Sequence, residues 1–433
     1  MRHWFKDQHM RSLLKNSSYL GASKIVAAIA SIVTLAMTGR ALGVMLFGIL
    51  ILIHSYAQAA SSLSKFQTWQ IVIRYGGQGL AAGRPEDFKV ATGFSLGLDL
   101  LSGVVGMAIA MALLPFIGGW FGLPKEYVTI TMLYCLVIPT MQAMTPGGVL
   151  RTLDRFDLLS WGGVVDPILK VILTAIAWAM DAPFVAYVAI WFTTDLVGDL
   201  YQWWLTWREL RRQAMVDALR PTLNPHPLKG AWRFAIRVNL TSSLAAAWGP
   251  IARLIVGGLL GPASAALYRV AATLTDSAQR PTDMLSRAFY PEVMRMDPKT
   301  KRPWNLMLRG AAIAGMFALI AVLLVAVAGE QLIRLIFGEQ FIGAYPALIV
   351  LIIAPLLAMI AFPMPAMLYA MHRDRDPLVA RLVGTVLYLI IVWPMAWRFG
   401  LAGAAGAFVL ANAAMVLVLM VQLARQYRKI RVR

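Results

Sequence analysis

Ten ionisable side chains fall inside or at the edges of long apolar runs: Lys24, Arg40, Lys170, Arg253 and Arg269 on the basic side, and Asp99, Asp166, Asp195, Asp199 and Asp276 on the acidic side. An ionisable group in hydrocarbon costs roughly 2.5–3.5 kcal/mol on insertion scales, so each must face protein or a wet cavity. The five bases are candidates for binding an anionic substrate. Arg253 and Arg269 are the sharpest, because neither has a carboxylate within four residues. A guanidinium meets phosphate through paired hydrogen bonds and stays charged when buried. The five acids are candidates for ion coupling. Asp195 and Asp199 lie one helical turn apart in one run, and two carboxylates that close in low dielectric tend to share a proton.

Each group also has a plainer reading. Asp166 and Lys170 are four apart and pair with each other on one helix. Lys24 is near enough to a membrane surface to snorkel. Asp195 and Asp199 can partner a base elsewhere, and the two arginines an acid of another span. His54, one turn from Gln58, reads as a packed, hydrogen-bonded residue. No catalytic residue and no metal site emerge. The single Cys135 lies in an apolar run, which excludes a disulfide framework and a thiolate metal site. A phosphate-binding glycine loop ending in Gly-Lys-Ser/Thr is missing, so ATP is not the direct energy source.

The elements that must position these groups are membrane helices. With 59% hydrophobic and 14% charged residues and a mean hydropathy of +0.67, the chain reads as a polytopic all-α membrane protein. Residues 2–20 read as a cytoplasmic amphipathic lead-in rather than a cleavable signal. Twelve spans are expected at 21–43, 45–66, 91–117, 127–150, 158–180, 184–206, 238–258, 263–287, 309–329, 345–371, 378–398 and 401–424. Of the 40 Lys and Arg residues, 32 fall on the side of the termini, 4 on the other side and 4 inside spans. That asymmetry places both termini in the cytoplasm by the positive-inside rule. It also accounts for the formal charge of +19 without nucleic acid, leaving contact with anionic lipid.

The spans repeat. The turn Thr38–Gly48 recurs as Gly257–Pro262, with Gly43 and Gly261 218 positions apart (261 − 43). Trp120-Phe121-Gly122 is echoed by Ile336-Phe337-Gly338, and Tyr127 by Tyr345. Pro139 and Pro146 interrupt span four as Pro355, Pro363 and Pro365 interrupt span ten. Two six-helix lobes follow, 1–207 and 238–433, joined by a cytoplasmic linker, 208–237. An even number of spans per copy relates them by a pseudo-two-fold axis along the membrane normal.

Arg40-Ala41-Leu42-Gly43 with Phe47-Gly48, Gly148 to Phe156, Leu260-Gly261-Pro262, Tyr268, Tyr290-Pro291-Glu292 and the small-residue run Gly400 to Ala407 together resemble the polysaccharide transporter family. That family, which contains the Wzx-type O-antigen flippases, belongs to the multidrug/oligosaccharidyl-lipid/polysaccharide exporter (MOP) superfamily. Ala266 stands where the family often has the glycine of Gly-x-Tyr. The resemblance implies a non-enzymatic, multi-pass protein of the bacterial inner membrane. Such a protein flips polyprenyl-pyrophosphate-linked oligosaccharide outward by alternating access, with the lipid tail left in the bilayer. It would work as a monomer, without cofactor, coupled to H+ or Na+, alongside polysaccharide polymerase machinery in lipopolysaccharide synthesis. The rival within the superfamily is a cation-coupled multidrug exporter. Lys24, with no acid in span one, favours an anionic substrate. A polymerase or ligase would need a large outer loop, which the chain lacks. Arg253, aligned with Leu35 of the first copy, is expected to face a cavity between the lobes.

Overall fold

The structure, a computed structural model, describes residues 8–431 apart from 142–143, 227, 237–238, 240–247, 295, 298–299 and 374. Every regular element among them is helical. The principal helices are α1 (Gln8–Ser64), α2 (Pro85–Ile117), α3 (Val128–Cys135), α4 (Thr145–Thr152), α5 (Phe156–Ala179), α6 (Phe184–Arg212), α7 (Pro250–Leu260), α8 (Pro262–Met294), α9 (Lys301–Phe337), α10 (Tyr345–Leu351), α11 (Ile353–Ala361), α12 (Pro363–Ala370) and α13 (Arg375–Arg431). Their apolar side chains stand out from the protein, as in Phe116, Val327, Leu335 and Trp397, each more than three-quarters exposed. Water would not tolerate such a surface, but hydrocarbon does.

The expected spans one and two are the two parts of α1, broken at Gly43 (φ 70°, ψ 170°). Spans eleven and twelve are α13, broken at Gly400 (φ 58°, ψ −140°). Span four divides into α3 and α4, and span ten into α10, α11 and α12. A proline in a helix removes a donor and clashes with the preceding turn, so both breaks follow from the prolines. Several boundaries lie outside the expected spans: α1 begins at 8, α2 at 85 and α9 at 301, while α6 runs on to 212, α8 to 294, α9 to 337 and α13 to 431. These helices continue past their apolar stretch into charged sequence. Of span seven, residue 238 and residues 240–247 lie outside the described residues, as do residues 2–7 of the lead-in.

The repeat is visible in the backbone. Left-handed residues recur in pairs: Gly43 and Gly261 (218 apart), Gly122 and Gly338 (216 apart, 338 − 122), Asp154 and His372 (218 apart, 372 − 154), and Asp181 and Gly400 (219 apart, 400 − 181). Two of these pairs carry no shared glycine, and both use Asp or His, which tolerate φ > 0 better than most residues. The turn geometry is therefore kept where the residue type is not.

The chain forms two compact units, Met1–Leu42 with Ile53–Gly119 and Leu123–Ile251, and Gly43–Leu52 with Trp120–Gly122 and Ala252–Arg433. Within the second unit, glycines let backbones meet: the Cβ that Gly48 lacks would lie 1.9 Å from the Pro262 carbonyl oxygen, and that of Gly258 1.9 Å from the Trp120 oxygen. Phe47 packs edge-on against Phe341 at 5.7 Å. The stretch 208–236 packs within the first unit: Leu228, Ala231 and Ala235 join Ile71, Ala91, Phe94 and Leu98 in one apolar cluster, and Thr222 N–H donates to the Gly93 carbonyl at 3.0 Å.

Lys65 is one of the 32 Lys and Arg residues counted on the side of the termini, yet it is 3% exposed. Its ammonium donates to the carbonyls of Pro139, at 2.8 Å, and Met141. The break between α3 and α4 leaves carbonyls without helical partners, and a buried cation satisfies them.

Charged ends of α5 and α6 are tied together by Arg155, which donates to Asp157 through two bonds of 3.0 Å and to the buried Glu209. The hydrogen bond from Arg155 holds the Asp157 carboxyl below the usual carboxylate range. A folded value lower than the unfolded one, about 3.9, contributes stability that is complete above the unfolded value and lost as pH falls through the folded one. The melting temperature should be insensitive to this group between pH 8 and 5. Asp157→Asn should lessen the loss measured below about pH 4, by under about 1 kcal/mol because Asp157 is 43% exposed and screened by solvent. A pH series of thermal melts on both proteins checks this.

Candidate functional site

Asp166, Lys170, Asp195 and Asp199 come together in the first unit. Lys170 on α5 donates to Asp195 Oδ1 on α6 at 2.6 Å and forms an ion pair with Asp166 Oδ1, one turn back, at 3.1 Å. Asp195 Oδ2 accepts from the Tyr134 hydroxyl of α3 at 2.7 Å and lies 3.4 Å from His54 Nε2 of α1. Trp191, one turn before Asp195, stacks edge-on with His54 at 5.0 Å and carries the Lys170 ammonium 5.4 Å from its ring centre. Four helices thus converge on one carboxylate.

Close packing makes the convergence possible. The Cβ that Gly198 lacks would lie 2.5 Å from Asp166 Cβ, and that of Gly162 3.1 Å from Leu205. Small residues bring α5 and α6 within reach of each other, as they do between membrane helices generally. Beside the cluster lies a polar cavity of about 290 Å3, lined by His54, Gln58, Asp166, Asp195, Asp199 and Gln202 among others. The cation, the imidazole and three carboxylates at one wet cavity can hold and exchange a proton.

The plainer reading of Asp166 with Lys170 is realised, extended by Asp195. Asp195 and Asp199 do share a face. His54, read as a packed residue, is packed, and it is also an Asp195 neighbour. Tyr134 and Trp191 were missed. Both sit in apolar runs without a polar spacing to mark them; only the pairing of α3 with α6 shows that they converge.

Asp99 lies apart. Its Oδ1 accepts from the Thr68 hydroxyl at 2.9 Å, and its Oδ2 from the backbone N–H and hydroxyl of Thr145 at 3.0 and 2.7 Å. Asp99 therefore caps the first turn of α4 with negative charge, as Lys65 caps the carbonyls before the break. In the second unit Arg253, 6% exposed, feels the charges of Arg269 and Asp276, and Asp276 acts on Arg269 also. Arg269 is half-buried and Asp276 exposed. Lys24 and Arg40 are exposed on the first part of α1. Among the described residues, no cluster of three or more His, Cys, Asp or Glu is placed to hold a metal ion.

A family model described as "Polysaccharide biosynthesis protein" matches residues 13–296. "Inner membrane protein YghQ" of Escherichia coli (strain K12) is 38% identical over 347 residues, 80% of this chain and 98% of that protein. Among solved structures, an inward-facing multidrug resistance MATE family transporter of the MOP superfamily superposes with a TM-score of 0.76 at 17% identity, covering 94% of this chain and 95% of that one. The lipid II flippase MurJ in an inward closed conformation gives 0.68 at 11% identity, covering 97% and 90%. The two sequence matches fix the lineage and the two superpositions the architecture: the chain belongs to the polysaccharide biosynthesis protein family and has the fold of the MOP superfamily transporters.

Proposed function

We propose that the chain is a flippase, carrying a polyprenyl-pyrophosphate-linked oligosaccharide outward across the bacterial inner membrane by alternating access, without chemical change to its cargo. The observation that carries this reading is the pair of guanidinium groups, Arg253 and Arg269, set among the membrane helices of the second unit with the charge of Asp276 acting on both. Burying guanidinium groups is costly, and a doubly charged pyrophosphate is a ligand that would repay it through forked, charge-assisted hydrogen bonds. Family membership supports a role in surface polysaccharide synthesis, with membrane lipids and polymerase machinery as partners and both termini in the cytoplasm. Coupling is assigned to the Asp195 cluster and to the proton rather than Na+, because Asp195 is already engaged by Lys170, Tyr134 and His54.

Cells lacking the protein should accumulate the lipid-linked unit and lose surface polymer. Arg253→Ala, inserted at normal level, should restore less than a tenth of that polymer, a loss of about 1.4 kcal/mol or more in the transport step. Arg253→Lys should restore part of it, keeping charge but losing the fork. Full restoration by Arg253→Ala would remove the arginine from the site. Normal polymer in the deletion strain, with raised sensitivity to cationic dyes, would favour the multidrug exporter.

A further inference from the structure

The second unit contains a larger cavity, of about 850 Å3, that the charge-bearing sites do not use. It lies between α8, α9 and α11, and among the described residues Glu292 is the one charged residue in its lining. Its volume is in the range of ligand pockets. On α9 the lining residues Leu306, Gly310, Ile313 and Phe317 follow each other at three- and four-residue steps, so they form one stripe. Ile313 and Phe317 are 56% and 62% exposed, so this stripe is open at the side of the helix, where hydrocarbon would reach it.

Basic groups lie near the start of α9: Arg302 is one turn before Leu306, and Arg309 precedes Gly310; both are exposed, and neither is in the cavity lining. An apolar cavity with two guanidiniums near one end of α9 suits a long hydrocarbon with an anionic head. The lining on α8 runs from Ala278 to Glu292, about 21 Å at 1.5 Å per residue.

We propose that this cavity holds the polyprenyl chain of the carrier lipid, with Arg302 and Arg309 at the level of its phosphate. The inference rests on the flippase reading and changes one part of it: a stretch of the tail is held by protein and not only by the bilayer. The basic end of α9 is the end that the positive-inside rule assigns to the cytoplasm, where the loaded carrier is made accessible to a flippase that exports it.

The full-length protein in lipid nanodiscs would be photolabelled with a long-chain polyprenyl phosphate bearing a diazirine in its hydrocarbon chain, and separately with phosphatidylglycerol bearing a diazirine in an acyl chain. The polyprenyl probe should crosslink within 306–321 and 352–362, and unlabelled polyprenyl phosphate should compete at least fivefold more effectively than phosphatidylglycerol. Ala318→Trp, which fills the cavity, should cut labelling at least fivefold; should it fail to fold, Ala321→Phe is read in the same assay. Arg302→Gln with Arg309→Gln should weaken labelling at least threefold. Equal labelling of the filled variant, or equal competition by phosphatidylglycerol, overturns the proposal. The two readings fail separately. Specific prenyl labelling with no polymer defect in the deletion strain would sink the flippase and keep the site. Wild-type polymer from a filled variant would sink the site and keep the flippase.

Discussion

Lys170→Met should lower the stability of the first unit by about 3–5 kcal/mol, the usual cost of removing one partner from a buried ion pair. Lys170 is 12% exposed and stands between Asp166 and Asp195 at 3.1 and 2.6 Å. Without it, two carboxylates remain among membrane helices, with His54 beside Asp195. Adding Asp195→Asn to Lys170→Met should restore at least half of the loss, because the penalty lies in the uncompensated charge and the two sites are directly coupled. Thermal melts of the single and double variants test this, and an additive result would exclude the coupling.

The same arrangement makes an ionic prediction. The tethered ammonium occupies the place where a solvent cation would sit, so the melting temperature of the native protein should be the same in sodium and in potassium salts. In Lys170→Met the vacated carboxylates would accept a cation from solution, and added sodium should then raise the melting temperature by binding linkage. Sodium stabilisation of the native protein, unchanged in the variant, would place the coupling ion elsewhere.

What was legible in the sequence divides along physical lines. Apolar length and the asymmetry of Lys and Arg need no tertiary information, and they marked the helices and expected turns. Glycine spacing marked Gly43 and Gly261, because a left-handed residue in a tight turn favours glycine. Asp154 with His372 carried the same turn without that marker, so only the backbone shows it. The charges were legible as types but not as partners. Asp166 with Lys170 could be paired from an i,i+4 spacing, whereas Tyr134 with Asp195 and Lys65 with Pro139 join residues 61 and 74 positions apart, which depend on how helices pack. Lys65 shows the limit most clearly: a lysine at the end of an apolar run reads as a surface anchor unless one knows that a broken helix next to it exposes carbonyls.

A graded series of glycine substitutions should separate backbone strain from backbone collision, with the largest expected effect at Gly48. Gly119→Ala, where nothing lies within 4 Å of the added carbon, should stay within about 0.5 kcal/mol of the native protein, as surface changes do. Gly261→Ala meets nothing within 4 Å either, but its φ of 86° is costly for an L-residue, so about 1–2 kcal/mol should be lost. Gly48→Ala combines an ordinary helical backbone with an added carbon only 1.9 Å from the Pro262 carbonyl oxygen and 2.4 Å from its carbon. A flexible side chain could move aside, but a main-chain carbonyl at the head of α8 moves only with its helix. The cost should exceed the 1–3 kcal/mol of ordinary overpacking, and the turn at Gly43 should separate from the turn at Gly261. Gly258→Ala, 1.9 Å from the Trp120 oxygen, should behave like Gly48→Ala. Folded yield by size-exclusion chromatography and melting temperature rank the four variants. The order Gly119, Gly261, then Gly48 with Gly258 is the expected one, and a Gly48→Ala protein that melts with the native one would mean that these two turns do not pack through their backbones.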